Sequence, residues 1–202
     1  MDHDKRRRNR ARRINELNRN PLERPDEWAS EEAGREALER ALGEWSQEII
    51  EPGHKVTEGP ILERYIHQGG GWTWQEDYQN RKLAWCGFFA SFAWLSVNAK
   101  IRKKCFPSTY RLRQWAKGTA REIKRLEDAR PGDILVIATS NGKRWGDHIT
   151  LIERTDEEGA RTVEGNAFGE TPNAKRAEGV VRCYRPKDKI KFIYRPLEVD
   201  LD

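Results

Sequence analysis

Residues 84–101, AWCGFFASFAWLSVNAKI, form the most apolar stretch of the chain. Phe88, Phe89, Phe92, Trp94, Leu95 and Val97 go nearly all the way round a helix. A helix that is apolar on every side is buried in the middle of a domain. The spacing therefore predicts a central helix here, with other elements packed around it.

Upstream the pattern is also helical. Residues 26–50 carry acidic groups in their first turn, then Leu38, Leu42, Trp45 and Ile49 at the 4-3-4 spacing of one helical face. Pro52-Gly53 stops that helix. A shorter one is predicted over 58–67, with Ile61, Leu62, Tyr65 and Ile66 on one side. Gly69-Gly70-Gly71 then opens a loop carrying Trp72 and Trp74. Downstream, an amphipathic helix follows Ser108, a good N-cap residue. From Pro131 the period changes. Ile134 to Ile137 is a continuous apolar strand after a Pro-Gly-Asp turn. His148–Glu153 and Ala160–Gly165 alternate, with a hairpin loop signal at 155–159 between them. Gly179–Tyr184 and Ile190–Tyr194 supply two more strands. Helices first and an antiparallel meander second predict an α+β domain, its helices packed on a small antiparallel sheet.

The chain has 202 residues, which suits one domain and a tail. Eight Trp, six Phe and five Tyr are enough aromatic volume for a core. No apolar run approaches the roughly 20 residues of a membrane-spanning helix. The Arg-rich N-terminus has no apolar segment of secretory type, so synthesis in the cytoplasm without a signal peptide is expected. The net charge of +5 is carried by residues 1–13, MDHDKRRRNRARR, and the remainder sums to zero. Residues 1–25 thus read as a basic, disordered arm and 26–202 as the domain. A nucleic-acid groove in the domain would carry a basic excess of its own. The arm is either a solubilising tail or a contact for an anionic partner: nucleic acid, a phage protein or an anionic wall polymer.

Cys86, Cys105 and Cys183 are odd in number and form no CxxC pair, so reduced thiols are expected. Cys86 falls in the first turn of the central helix. There the free N–H groups favour a thiolate and can donate to an oxyanion. A small core residue is the alternative. His148 opens the alternating strand HITLIE. Pairing that strand with the next through a loop centred on Glu157 sets His148 opposite Asn166, with Glu164 diagonally across on the same face. A His flanked by a carboxylate and an amide is an oriented base; otherwise it is a hydrogen-bonded surface His. His3, His54 and His67 have no partners at metal-ligand spacing, so neither metal nor cofactor is expected. Glu76 and Asp77 lack the run of acidic residues of a calcium loop.

Five blocks in order resemble CHAP domains, the cysteine- and histidine-dependent amidohydrolase/peptidases. They are Trp85-Cys86 with its aromatic helix, Ala129 to Leu135, Gly146 to Ile152, Val163 to Asn166, and Gly179 to Arg182 with Arg185. The resemblance covers roughly residues 45–196. It implies a papain-like CHAP fold, Cys86 as nucleophile, His148 as general base and Glu164 as the group orienting it. It implies that Asn166 helps hold the intermediate or the imidazole. The substrate it implies is peptidoglycan, cut as an N-acetylmuramoyl-L-alanine amidase or a peptide-bridge endopeptidase would cut it. Enzymes of this kind act at the cell wall after release or delivery by a phage or a secretion route. Trp72, Trp74, Trp85 and Trp145 lie near these motifs in sequence and are candidates to line a substrate groove, or else ordinary core. Gly87 stands where the family more often has Ala, at some cost in helix propensity. Two other classes fit the same residues. One is a catalytically silent CHAP-like binding or structural protein working through its arm. The other is a papain-like domain acting on protein isopeptides or transferring acyl groups.

Overall fold

The structure, a computed structural model, describes residues 31–51, 59–69, 84–95, 97, 106, 108–117, 120–139 and 147–196. The arm, Trp72, Trp74, Glu76, Asp77, Cys105 and Trp145 lie outside the described residues. Helices precede strands, as the period change predicts. Helix α1 spans Glu31–Ser46, a π-helix Ile61–Gly69, α2 Cys86–Trp94 and α3 Thr109–Ala116. Six strands follow: β1 Ala120–Ile123, β2 Ile134–Ile137, β3 His148–Thr155, β4 Gly159–Glu170, β5 Arg176–Pro186 and β6 Ile190–Pro196. They form one antiparallel sheet in the order β1-β6-β2-β3-β4-β5. The domain is α+β.

All nine residues of α2 are buried. Its aromatic side chains share one core cluster with Ala37, Leu38 and Ala41 of α1, Tyr65 and Ile66 of the π-helix, and Ile134, Val136, Ile149, Leu151, Val163 and Val180 of the sheet. Each fully buried Phe contributes roughly 1.5–3 kcal/mol, so this layer carries most of the hydrophobic stabilisation. Tyr65 stacks on Trp85 at 5.5 Å between centroids and meets Phe89 edge-on at 5.2 Å. Its hydroxyl donates to Glu44 of α1 at 2.8 Å, and Arg64 donates to the same carboxylate at 2.9 Å. The two helices are thereby clasped through one buried acid.

α1 ends earlier than the apolar spacing predicts. Glu48 takes φ 54° beyond the last turn, and the chain then bridges to β5: Val180 N–H donates to Ile49 O at 2.9 Å and Glu51 N–H to Glu178 O at 2.8 Å. Ile49 is buried all the same. α3 begins as predicted, with Ser108 Oγ accepting from Arg111 N–H at 3.2 Å.

The sheet differs from a simple meander. β6 returns past three strands to pair with β2, and β1, a four-residue strand with one buried side chain, pairs on its far side. From Pro186 to Ile190 the chain reaches at most about 14 Å when extended. In a flat sheet those strands would stand about 19 Å apart, at four spacings of about 4.8 Å. The sheet must therefore curl. Lys187 N–H donates to Glu158 O and Ala138 N–H to Lys189 O, which places this crossing over the ends of β2, β3 and β4. A second apolar cluster (Leu135, Ile137, Ile152, Ala160 and Ile193, with Ile123 and Leu126) fills the face away from the helices. Beside it Arg195 makes a two-pronged bond to Asp133 of the Pro-Gly-Asp turn, at 2.9 and 2.7 Å.

No helix among the described residues is long and apolar enough to cross a membrane. Gly87 has a steric reason that helix propensity does not supply. A Cβ there would run into the main-chain carbonyl of Phe106. The variant Gly87→Ala is expected to lose at least about 1–3 kcal/mol, the usual cost of overpacking. Urea unfolding would show this as a lower midpoint with an unchanged slope.

Candidate functional site

Two hairpin details set the imidazole in place. The β3–β4 turn closes with Asp156 N–H on Gly159 O at 3.0 Å, so its centre lies half a residue beyond Glu157. A bulge at Glu153 takes up the difference: Thr155 pairs with Ala160 and Arg154 with Arg161, then Ile152 with Thr162 and Leu151 with Val163. Past the bulge, the register is the one a loop centred on Glu157 requires. At the other end Asp147 Oδ1 accepts from Thr139 N–H and Oγ1 at 2.7 and 2.8 Å, and Asp147 N–H donates to Ile137 O. His148 therefore starts its strand from an anchored residue.

His148 Nε2 lies 2.9 Å from Glu164 Oε2. Glu164 has no exposure at all. Its Oε1 accepts from Thr162 Oγ1 at 2.5 Å and from Arg185 Nε at 2.7 Å. Its Oε2 accepts from Arg185 Nη2 as well as facing the ring. Burial is the largest single influence on this carboxyl and favours the neutral acid. Arg185 and then His148 outweigh it, and the group is pulled down to about 2. It is a carboxylate at any physiological pH.

The Cys86 thiol and the His148 ring are hydrogen-bonded. Burial opposes the thiolate most strongly. The His148 charge, its hydrogen bond, and bonds from the Ile149 and Gly87 backbone N–H groups prevail, so the thiol ionises below its ordinary value. Burial likewise opposes the imidazolium, but Cys86 and Glu164 push His148 up to about 10. Each group therefore favours the charged form of the other, and the backbone N–H groups at the start of α2 favour the thiolate further. Cys86 is 5% and His148 7% exposed, so the charges are largely shielded from water.

Asn166 is not placed as the strand alternation predicts. β4 carries two residues, Gly165 and Asn166, against the single Val180 of β5, a bulge that turns the alternation off. Asn166 takes φ 58°, a left-handed conformation that Asn tolerates well. Its Oδ1 accepts from Trp85 N–H at 3.1 Å and its Nδ2 donates to Glu51 Oε2 at 3.1 Å. The residue thus braces the start of α2, one position before Cys86, instead of the imidazole. Glu51 Oε2 also accepts from Trp85 Nε1 at 3.1 Å. Glu51 is the site residue the sequence did not reveal, since it follows a helix end with no pattern of its own. Gly165 completes the segment: a Cβ there would strike the Trp85 ring and Phe89.

Trp85 is a correction. It is wholly buried between Tyr65, Phe89 and Glu51, and offers no surface to a substrate. The other substrate-binding candidates, Trp72, Trp74 and Trp145, lie outside the described residues. His67 lies in the π-helix. Among the described residues no group of three His, Cys, Asp or Glu is placed to hold a metal ion. Cys183, beside Glu164, is pushed up to about 12, by burial first and by the Glu164 charge second, so it is a poor nucleophile.

No family model, no curated protein and no solved structure matches the chain.

Glu164 makes the site's stability pH-dependent in a defined direction. Its folded value lies below the ordinary 4.5, so its contribution is complete above that value and is lost as the pH falls towards about 2. Glu164→Gln leaves the buried His148 and the part-buried Arg185 short of a partner and is expected to cost on the order of 3–5 kcal/mol at pH 7. The gap between wild type and variant should close as the pH is lowered from 4.5 to 2 in chemical denaturation series.

Proposed function

We propose that the chain is a cysteine-dependent amidohydrolase or endopeptidase with a papain-like CHAP fold, acting on an amide of peptidoglycan. The observation that carries the chemistry is the single line from Cys86 through His148 to Glu164, drawn from a helix and two strands. The choice of a wall amide comes from the resemblance of the five sequence blocks to CHAP domains. The curled antiparallel sheet with helices on one face is compatible with that fold.

The steps start from a thiolate–imidazolium pair, the state that the opposed shifts of Cys86 and His148 favour. The Cys86 thiolate adds to the amide carbonyl carbon and the carbonyl oxygen becomes an oxyanion. The Cys86 backbone N–H, free at the first turn of α2, is one donor to it. His148 gives its Nδ1 proton to the leaving nitrogen, the C–N bond breaks, and a thioester and a free amine result. Neutral His148 then takes a proton from water, whose oxygen adds to the thioester. Collapse expels the thiolate and leaves a carboxylic acid. Throughout, Glu164 holds the ring in one orientation and supports its positive charge. Low exposure of the sulfur keeps bulk water from competing at the thiolate.

Two measurements test the reading. Cys86→Ala should abolish release of fragments from purified sacculi, read by mass spectrometry; digestion at the wild-type rate would refute it. Mass analysis of wild-type fragments also separates an amidase from an endopeptidase. Iodoacetamide should alkylate Cys86 in the folded protein with a pH midpoint below the ordinary thiol value of 9. Hydrolysis should rise over the same acid limb and fall as His148 loses its proton near pH 10. A Cys86 that reacts only after unfolding would count against any nucleophilic role.

A further inference from the structure

Glu164 is reached from both neighbouring strands, and the β5 side carries the stronger grip. Arg185 stands opposite Ala160 in the β4–β5 ladder and extends along the same face as Glu164. Its Nε and Nη2 donate to the two carboxylate oxygens separately, in the two-pronged geometry that fixes a carboxylate plane. Only Oε2 faces the ring. A carboxylate held by Thr162 alone could turn about its terminal bond and take Oε2 away from His148.

We propose that Arg185 is a positioning residue for the thiol site: its fork on Glu164 orients that carboxylate towards His148, and so acts on Cys86 through two intervening side chains. This role rests on the thiol mechanism proposed above and adds a fourth member to it. The groups facing Glu164 are His148 from β3, Thr162 from β4, and Arg185 and Cys183 from β5. Counted with Cys86 from α2, the charges are two negative and two positive. Removing the guanidinium leaves an excess negative charge in a buried cluster. The protein then answers by protonating the carboxylate or by loosening its contact with the ring, and either change weakens the imidazolium. The Cys86 thiolate loses its main counter-charge in turn. Arg185 is also the largest of the influences that favour the Glu164 anion, ahead of His148.

The test reads Cys86 directly. Arg185→Gln and Arg185→Lys are compared with wild type in the full chain, with folding followed by circular dichroism. The rate of Cys86 carboxamidomethylation is followed against pH by peptide mass, which separates Cys86 from the other two thiols. In folded Arg185→Gln the midpoint should move up towards 9, and kcat on purified sacculi should fall roughly 10–100-fold, as is usual for a partner one shell out, with KM little changed. Arg185→Lys keeps the charge without the fork and should lie between the two. A folded Arg185→Gln with the wild-type alkylation profile overturns the proposal. Should Arg185→Gln fail to fold, Arg185→Lys decides: wild-type profile and turnover there show that the fork positions nothing. In a Glu164→Gln background, Arg185→Lys should cause no further change at Cys86, and an additive loss would also overturn the role. If Cys86→Ala still digests sacculi, the hydrolase mechanism fails, while the alkylation profiles still decide what Arg185 does to the thiol.

Discussion

A carboxylate with no solvent exposure is the constraint around which this domain is arranged. Removing such a charge from water costs several kcal/mol even after relaxation, and only a full set of donors offsets it. Glu164 receives them from Thr162, Arg185 and His148. Those residues belong to β3, β4 and β5, so satisfying one side chain fixes three strands in register. The imidazole is held because it is one of the required donors. Its orientation is thus a by-product of folding.

A second anchorage brings the sulfur to the ring. Glu51 and Asn166 hold Trp85 at its backbone and its indole, and the indole is clamped between Tyr65 and Phe89. Cys86 is the next residue, so its place depends on how firmly Trp85 is seated. Gly165 and Gly87 permit this seating because α2 lies against β4 on one side and the Phe106 backbone on the other, with no room for a methyl group. The Glu-Gly-Asn segment therefore has three separate physical jobs. Glu164 serves the ring, Gly165 admits the aromatic clamp, and Asn166 takes the left-handed bulge position that aims its amide at Trp85.

Much of this was legible from residue order. The all-round apolar helix, the Ser108 cap, the switch of period at Pro131 and the contact of His148 with Glu164 follow from spacing and alternation, which are local properties. Other parts were not. β1 has a single buried side chain, and no alternation marked it as a strand. Asn166 is bonded to Trp85 and Glu51 because a bulge breaks the two-residue period on which the expectation depended. The agreement at His148 owes something to compensation, since the turn centre was displaced by half a residue and the Glu153 bulge restored it. Trp85 shows that adjacency in sequence to Cys86 does not imply a place on the surface beside it.

Residue order alone was enough for most of the helices and strands, for the side chains apolar enough to be buried, and for the pairing of His148 with Glu164. These depend on composition and on periods of 3.6 and 2 residues. The tertiary structure alone decided the curl of the sheet, the return of β6 to β2, the bracing of the helix start by Glu51, and the fork of Arg185 behind Glu164. Such features arise when distant segments meet and every buried polar group must find a partner, and no local period records that pairing.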